Sequence, residues 1–557
     1  MGELVVAGEV AGNVLVCDEG LSFWGGVDPA TGEIVDAHHP QRGQVVAGRV
    51  LMMPTTRGSC TGSGVLLELA FRNVAPAMLV FREAEDVVTL GSVVASNLFG
   101  LSIPVVRLTA GEYHRLAQAS TARLSGTRLE ADGVGVDLTV VSTDDIELSE
   151  ADQAMLAGDR GEAVKVAMQT VCAMAASQKA ARLIDITRVH IDGCIYASPS
   201  FLTFARKMAD LGGRVSVPTT MNAISVDHAN WRAQGVAEEF GVAAAGLADA
   251  YVEMGAKPSF TCAPYLLGDD PGLGEEIAWA ESNAVVYANS VLGARTVKHP
   301  DFLDLCIAIT GRAPQSGVYI DANRAPRRIV EVAQPEGADD SFWPMLGWLV
   351  GQAAPDRIPL VVGLERSAPS ADDLKAMCAA FGTTSAAPML HIAGVTPEAD
   401  LEPVSDADRV EATADDFEDL WRRFNSGSSE VDLVALGSPH MSQSECDMLA
   451  VLLNGRQVVV DTVVTLGRAT LEAIAGSGTH ARLTGCGVRI VSDLCWCSIS
   501  EPVFPPSARV LMTNSGKYAH YAPGLSGRQV RFGSLAQCVA AAVEGRAPST
   551  PPGWLSG

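Results

Sequence analysis

The sequence predicts an α/β protein, with a β-rich N-terminal domain and a larger part of layered α/β domains. Three observations carry this. The chain has 557 residues, more than one ordinary domain holds. Hydrophobic residues make up 48% of it and aromatic residues only 6%, which suits a large aliphatic core. Short β-branched runs alternate with helical patterns through the second part, as in layered α/β folds.

Each element follows in order. Over residues 1–138, "ELVVAGEV", "GQVVAGRVLM", "AMLVF", "IPVVRL" and "GVDLTVV" read as short strands between glycine turns. "GSGVLLELAFR" and "DVVTLGSVVASNLFG" read as helices among them. The acidic stretch "STDDIELSEADQ" then changes the character of the chain, and Ser149 and Asp152 have capping-box spacing. Residues 145–545 form the large part, and the Pro/Gly/Ser-rich tail 546–557 is expected to fray. There is no internal repeat.

Composition narrows the function. A net charge of −25 argues against a nucleic-acid surface, which needs clustered Lys and Arg. The N-terminus lacks a basic region and a continuous apolar run, and no uncharged apolar stretch is long enough for a bilayer. A cytoplasmic protein is expected. The twelve cysteines are scattered and include no C-x-x-C pair. The closest two are Cys495 and Cys497. The ordinary role of such thiols is small core residues.

Polar motifs follow predicted strands in the second half. "EVDLVAL" leads into Gly437-Ser438-Pro439-His440, "GVRIVSD" into Leu494-Cys495-Trp496-Cys497, and "ARVLM" into Thr513-Asn514-Ser515-Gly516-Lys517. In open parallel sheets ligands bind beyond the carboxyl ends of strands. The three loops would form one site if their strands were neighbours. Further upstream, "TTRGSCTGSGVLLEL" is neither a Walker A loop nor a G-x-S-x-G elbow. It reads as an anion-holding turn or as a plain turn with a serine N-cap.

Other candidates are more dispersed. Cys262, before a proline-containing loop, reads either as a half-buried thiol or as a cluster ligand. Residues 277–301 form a helix loaded with Glu281, Ser282, Asn283, Asn289, Ser290 and Arg295. Arg295 is suited to fork onto a carboxylate. Thr219, Thr220, Asn222, Asn323 and Arg324 lie in polar loops that could bind a small acid or simply satisfy turns. His190 and Cys194 carry little weight as chemistry.

Together these stretches resemble aconitase X, the divergent branch of the aconitase superfamily. "RGSCTGS" is similar to the signature of its small swivel domain. "TTMNAIS", "TCAPYL", "IAWAESNAVVYANSVLGART", "IDANRA", "GSPH", "DLCW" and "TNSGKYAHY" follow in the order of its large catalytic part. The resemblance implies that the swivel domain delivers Ser59 as the proton-abstracting base. Arg57, Lys517 and loop amides would stabilise its alkoxide, and Ser63 would cap the helix. It implies an iron–sulfur cluster on Cys262 and Cys495. The third ligand falls at Ser438, where the archaeal two-chain relatives have cysteine. Ser438, His440, Cys497 or Cys194 would complete the set. A 2Fe–2S cluster is favoured, with 3Fe–4S and 4Fe–4S as alternatives. The implied substrate contacts are Arg57, Thr219, Thr220, Asn222, Glu281, Ser282, Asn289, Arg295, Asn323, Ser515 and Lys517.

Both parts lie in one chain, so no separate small subunit is expected. The single-chain type implies a hydro-lyase that converts cis-3-hydroxy-L-proline to Δ1-pyrroline-2-carboxylate. One alternative is a dehydratase or isomerase of another small hydroxy acid such as mevalonate 5-phosphate. An iron-sensing RNA-binding protein and a cluster-free binding protein are alternatives of other classes. The net charge opposes the RNA reading.

Overall fold

The computed structural model describes residues 1–498 and 501–555. The chain divides into two units. One comprises Met1–Thr219, Asp249–Ala256 and His299–Ser316, and the other Thr220–Ala248, Lys257–Lys298 and Gly317 to the C-terminus.

In the N-terminal unit, the strands Val10–Val16, Val50–Met53, Met78–Phe81 and Val105–Arg107 run parallel at the heart of a nine-stranded sheet. Strand Val50–Met53 is fully buried, which explains its unbroken apolar run. Alternation still sorts its side chains. Leu51 and Met53 enter one apolar cluster with Leu79, Phe81 and Leu66, while Val50 and Met52 enter another with Met78, Val80 and Leu124. The hairpin Thr121–Ser125/Arg128–Ala131, one strand in from the sheet edge, has one wet face and alternates exposed and buried residues. Both predicted helices form, at Gly62–Phe71 and Val87–Phe99. The capping box forms too: Ser149 Oγ accepts from the Asp152 amide at 3.2 Å, and the Asp152 carboxylate accepts from the Ser149 amide at 3.0 Å.

The C-terminal unit holds two parallel sheets. Strands Arg328–Val332, Pro359–Val362, His391–Ile392 and Asp408–Ala412 make the first. The second has the spatial order Arg489–Ser492, Asp461–Leu466, Leu433–Leu436, Val510–Thr513, Gln529–Phe532. Its chain steps outward from Leu433 to Ser492, then crosses back to lay Val510–Thr513 on the other side of Leu433–Leu436. The strand order therefore reverses between those two strands, at the kind of crevice where open parallel sheets bind ligands. The loops beginning at Gly437 and Asn514 leave from adjacent strands, and the Cys495 loop leaves the same edge two strands away.

The tail departs from expectation. Trp554 is buried, its indole N–H donates to Asp339 Oδ1 at 3.0 Å, and its ring meets Phe342 and Phe417 edge-on. One large aromatic side chain anchors a segment whose composition alone suggests fraying.

Candidate active site

Two loops after strands of the second sheet meet a third from Ser259–Ala263. Cys262, Cys495 and Ala223 form a small buried cluster, against which Cys497 packs. The Cys262, Cys495 and Cys497 sulfurs face one another closely enough to interact. The His440 amide also points at this cluster, donating to Cys262 Sγ at 3.3 Å.

Local sequence explains the placement. Gly437 turns the chain out of its strand at φ 98°, and a Cβ there would lie 2.2 Å from the Thr465 carbonyl oxygen, so only glycine fits. After strand Arg489–Ser492, a 3-10 turn at Trp496–Ser498 is pinned by the buried Trp496. Its indole donates to the Leu436 carbonyl at 2.8 Å and stacks on Phe504 with centroids 4.0 Å apart. The turn flanks that anchor with Cys495 and Cys497.

A buried ion pair lies beside the sulfurs. Lys517, in the first turn of helix Gly516–Ser526, donates to Glu281 Oε1 at 2.7 Å. Glu281 caps the next helix by accepting from the Asn283 and Ala284 amides at 2.7 and 3.1 Å. Asn283 in turn donates to the Cys262 carbonyl at 2.9 Å and accepts from Tyr265 at 2.6 Å. Ser515 Oγ donates to the Ser438 carbonyl and accepts from the Tyr518 amide, tying the two adjacent loops together.

The electrostatics follow from this packing. Hydrogen bonds from Cys262 and Cys497, with help from Lys517 and His440, hold the Cys495 thiol well below its ordinary range despite burial. The same hydrogen bonds, together with burial, push Cys262 and Cys497 up. Burial alone would lower Lys517; Glu281 and the three sulfurs outweigh it and keep the ammonium charged. Burial holds His440 below the usual imidazole range.

The donor set fits a thiolate-held metal group. Three sulfurs converge beside a cation that would compensate the negative charge of ligating thiolates. Ser438 Oγ is buried and has no hydrogen-bond partner among the described residues. An orphaned hydroxyl is costly unless something else engages it. His440 is not a spare ligand: Nδ1 faces Thr261 Oγ1 at 3.3 Å and Nε2 faces the Leu494 carbonyl at 2.9 Å.

The N-terminal unit carries the other motif. Gly58 turns at φ 90°, and Ser59 follows just before helix Gly62–Phe71. Ser59 Oγ lies 2.9 Å from Thr61 Oγ1 and accepts from the Thr61 amide at 3.3 Å. Ser63 does not cap the helix; its hydroxyl is buried and donates to the Val87 carbonyl at 2.7 Å. Arg57 pairs with Glu19 and Asp36 at 2.8 and 3.0 Å. In the same unit one ligand atom each of Cys60, Asp192 and Asp301 lies within 4.8 Å of the others, a group capable of holding a metal ion. Cys194 is buried in this unit too, with its thiol on the Ile191 carbonyl.

The remaining candidates fall into three kinds of place. Ser282 Oγ reaches Glu281 at 3.5 Å, and Asn222 Oδ1 accepts from the Ala223 amide at 2.7 Å beside the thiols. Thr220 pairs as an isolated bridge with Lys257, and Thr219 Oγ1 donates to the Val217 carbonyl. Asn289, Arg295 and Asn323 sit in a separate network. Arg295 donates to Asp321, Glu398 and the Gly293 carbonyl; Asn289 bonds Thr296, Pro388 and Arg324; Asn323 donates to the Gly317 carbonyl. Sequence reasoning missed Lys375, which is buried and donates to the His440 carbonyl at 3.3 Å while pairing with Glu445 and Asp372. Its only signal was a lysine among the apolar positions of helix Ala371–Thr384.

Family comparison agrees in all parts of the chain. The aconitase X swivel domain matches residues 1–131, the first domain 145–322, the second 326–422 and the third 431–544. The chain belongs to the aconitase X family. Within that family it is 50% identical over 574 residues to the cis-3-hydroxy-L-proline dehydratase of Pseudomonas aeruginosa, covering 99% of this chain and 98% of that one. It is 48% identical over 577 residues to the enzyme of the same name from Hypocrea jecorina, covering 100% and 97%. The crystal structure of Thermococcus kodakaraensis aconitase X in its holo form superposes with a TM-score of 0.65 at 28% identity, covering 71% of this chain and 100% of that one. The α/β fold with an N-terminal swivel domain is therefore that of aconitase X. No helix among the described residues is long and apolar enough to cross a membrane.

Proposed function

We propose that this protein is a hydro-lyase that dehydrates cis-3-hydroxy-L-proline to Δ1-pyrroline-2-carboxylate. The observation that carries the reading is the 50% identity, over essentially the whole of both chains, to a dehydratase of that name. Swivel and catalytic parts align within one chain, so no separate small subunit is needed. Twelve free cysteines suit a reducing cytoplasm.

In this reading Cys262, Cys495 and the Ser438 loop hold an iron–sulfur cluster, 2Fe–2S by preference. When bound, the cluster supplies Lewis acidity toward the 3-hydroxyl. The protein's own groups do the rest. Ser59 accepts the proton from the carbon bearing the carboxylate. Its Thr61 amide and hydroxyl partners stabilise the oxyanion that makes it a base. The released electron pair forms the ring double bond as the C3–O bond breaks, and the departing hydroxide takes up the proton that Ser59 removed and leaves as water. Lys517 and Asn222 hold the carboxylate and the charge that develops on it. The resulting enamine tautomerises to the imine, so the net change is loss of one water. Thr219, Thr220, Ser282 and Ser515 belong to the polar surround, whereas Asn289, Arg295 and Asn323 are engaged in the separate network described above and Arg57 in its pairs with Glu19 and Asp36. The N-terminal 138 residues act as the swivel domain and residues 145–545 as the catalytic part.

A substrate panel tests the reading. Pyrroline-2-carboxylate formation from cis-3-hydroxy-L-proline, with no turnover of mevalonate 5-phosphate, is the expected result. Turnover of the phosphate ester alone would overturn it.

A further inference from the structure

We infer that Cys497 is the third thiolate ligand of the cluster, supplying the sulfur that the Ser438 position lacks. The inference rests on the cluster reading above and deepens it.

Position comes first. Of the buried cysteines, Cys446 and Cys538 sit in the apolar core of the second sheet. Cys262, Cys495 and Cys497 instead share a small cluster with Ala223 at the ends of the loops. Cys497 reaches it because the chain turns rather than extends. The Ser498 amide donates to the Cys495 carbonyl at 2.9 Å, closing a 3-10 turn. Trp496 is held on the sheet side of that turn by its indole bond and its stack on Phe504. Both flanking sulfurs are thereby fixed without a partner outside the cluster having to order them.

Ligand chemistry points the same way. Thiolates are the usual anchors of iron–sulfur clusters, and two of them are fewer than such clusters ordinarily use. His440 has both ring nitrogens engaged, so the remaining soft donor is Cys497. With Ser438 Oγ as an oxygen donor, the site offers three sulfurs and one oxygen. On cluster binding the Cys497 thiol loses its proton to solvent as its sulfur bonds iron, with no change in oxidation state. The Lys517 ammonium beside the sulfurs offsets the added negative charge.

Cys497 is also the partly exposed member of the trio, which makes the inference testable on the unmodified protein. Anaerobic holoprotein and iron-stripped protein are treated with N-ethylmaleimide, and labelling of each cysteine is followed by peptide mass spectrometry. A ligand sulfur is protected, so Cys497 is expected to label at least about tenfold more slowly in the holoprotein, together with Cys262 and Cys495. Equal labelling of Cys497 in both states, with Cys262 and Cys495 protected, would overturn the inference and leave the cluster reading standing. Wild-type protein free of iron and sulfide after reconstitution would overturn the cluster reading itself. Cys497→Ser and Cys497→Ala give a second readout. Loss of iron and sulfide or altered electron paramagnetic resonance g-values supports ligation. Wild-type iron, sulfide and g-values in both variants contradict it.

Discussion

The Lys517–Glu281 pair can be perturbed with little change of shape by Glu281→Gln. Glu281 and Lys517 are 8% and 7% exposed and 2.7 Å apart, so the substitution leaves a cation buried without its counter-charge. Removing one partner of such a pair costs about 3–5 kcal/mol. The effect should be local, because Glu281 also caps helix Ser282–Tyr287. Hydrogen exchange of the peptides spanning Ser282–Leu292 reads it directly. With about 1.4 kcal/mol for each tenfold, protection should fall by about a hundredfold or more at neutral pH. The sign of the pH dependence is also fixed. In the wild type Lys517 is held above its ordinary range, so its contribution is present at neutral pH and is lost only as pH rises through that raised value. In Glu281→Gln the largest charge holding it up is gone and burial opposes the charged form. The deficit should therefore shrink as pH rises, as the lysine becomes easier to hold neutral. The double variant Glu281→Gln/Lys517→Met should recover at least half of the lost protection, because no unpaired charge remains. Exchange within about twofold of wild type in the single variant would refute the claim that the pair is buried and coupled to the helix.

Ser59→Ala should abolish turnover and leave the iron content and visible spectrum unchanged; wild-type kcat in that variant would remove Ser59 as the base. Gly437→Ala places a Cβ against the Thr465 carbonyl in a left-handed conformation, so it should destabilise the fold by at least about 2 kcal/mol in urea unfolding and lower iron retention. In iron-stripped protein, Cys495 should remain reactive toward iodoacetamide as pH falls below the ordinary thiol range near about 8.5, because its thiolate is stabilised. A Cys495 rate that titrates at the ordinary value would contradict the hydrogen-bonded arrangement of the three sulfurs.

Much of the fold was legible because its signals are local. The fully apolar run at Val50–Met53, the Ser149/Asp152 box and the polar loops after Leu436, Ser492 and Thr513 all read directly from neighbouring residues. The coming together of the three loops was legible only as a condition, since sheet order is a long-range property. The structure meets it in part: the strands before Gly437 and Asn514 are adjacent, while strand Asp461–Leu466 lies between Leu433–Leu436 and the strand before the Cys495 loop. Partners distant in sequence were not legible. Arg295 reads as a free fork, yet Glu398, 103 residues later, occupies one of its donors. Lys375 carries no motif, and its role depends on Glu445, 70 residues away. Trp554 lies in a composition that suggests fraying, and Asp339, Ser341, Phe342 and Phe417, all distant in sequence, hold it. Cys497 is ambiguous by spacing alone; the turn around Trp496 decides its direction.

The most direct measurement combines two quantities on one sample. The protein is purified anaerobically, its iron and acid-labile sulfide are quantified, and the same sample is assayed for pyrroline-2-carboxylate formation from cis-3-hydroxy-L-proline. Bound iron and sulfide together with turnover is the result expected of a cluster-dependent hydro-lyase. Turnover that persists at full rate in protein free of iron and sulfide would contradict it.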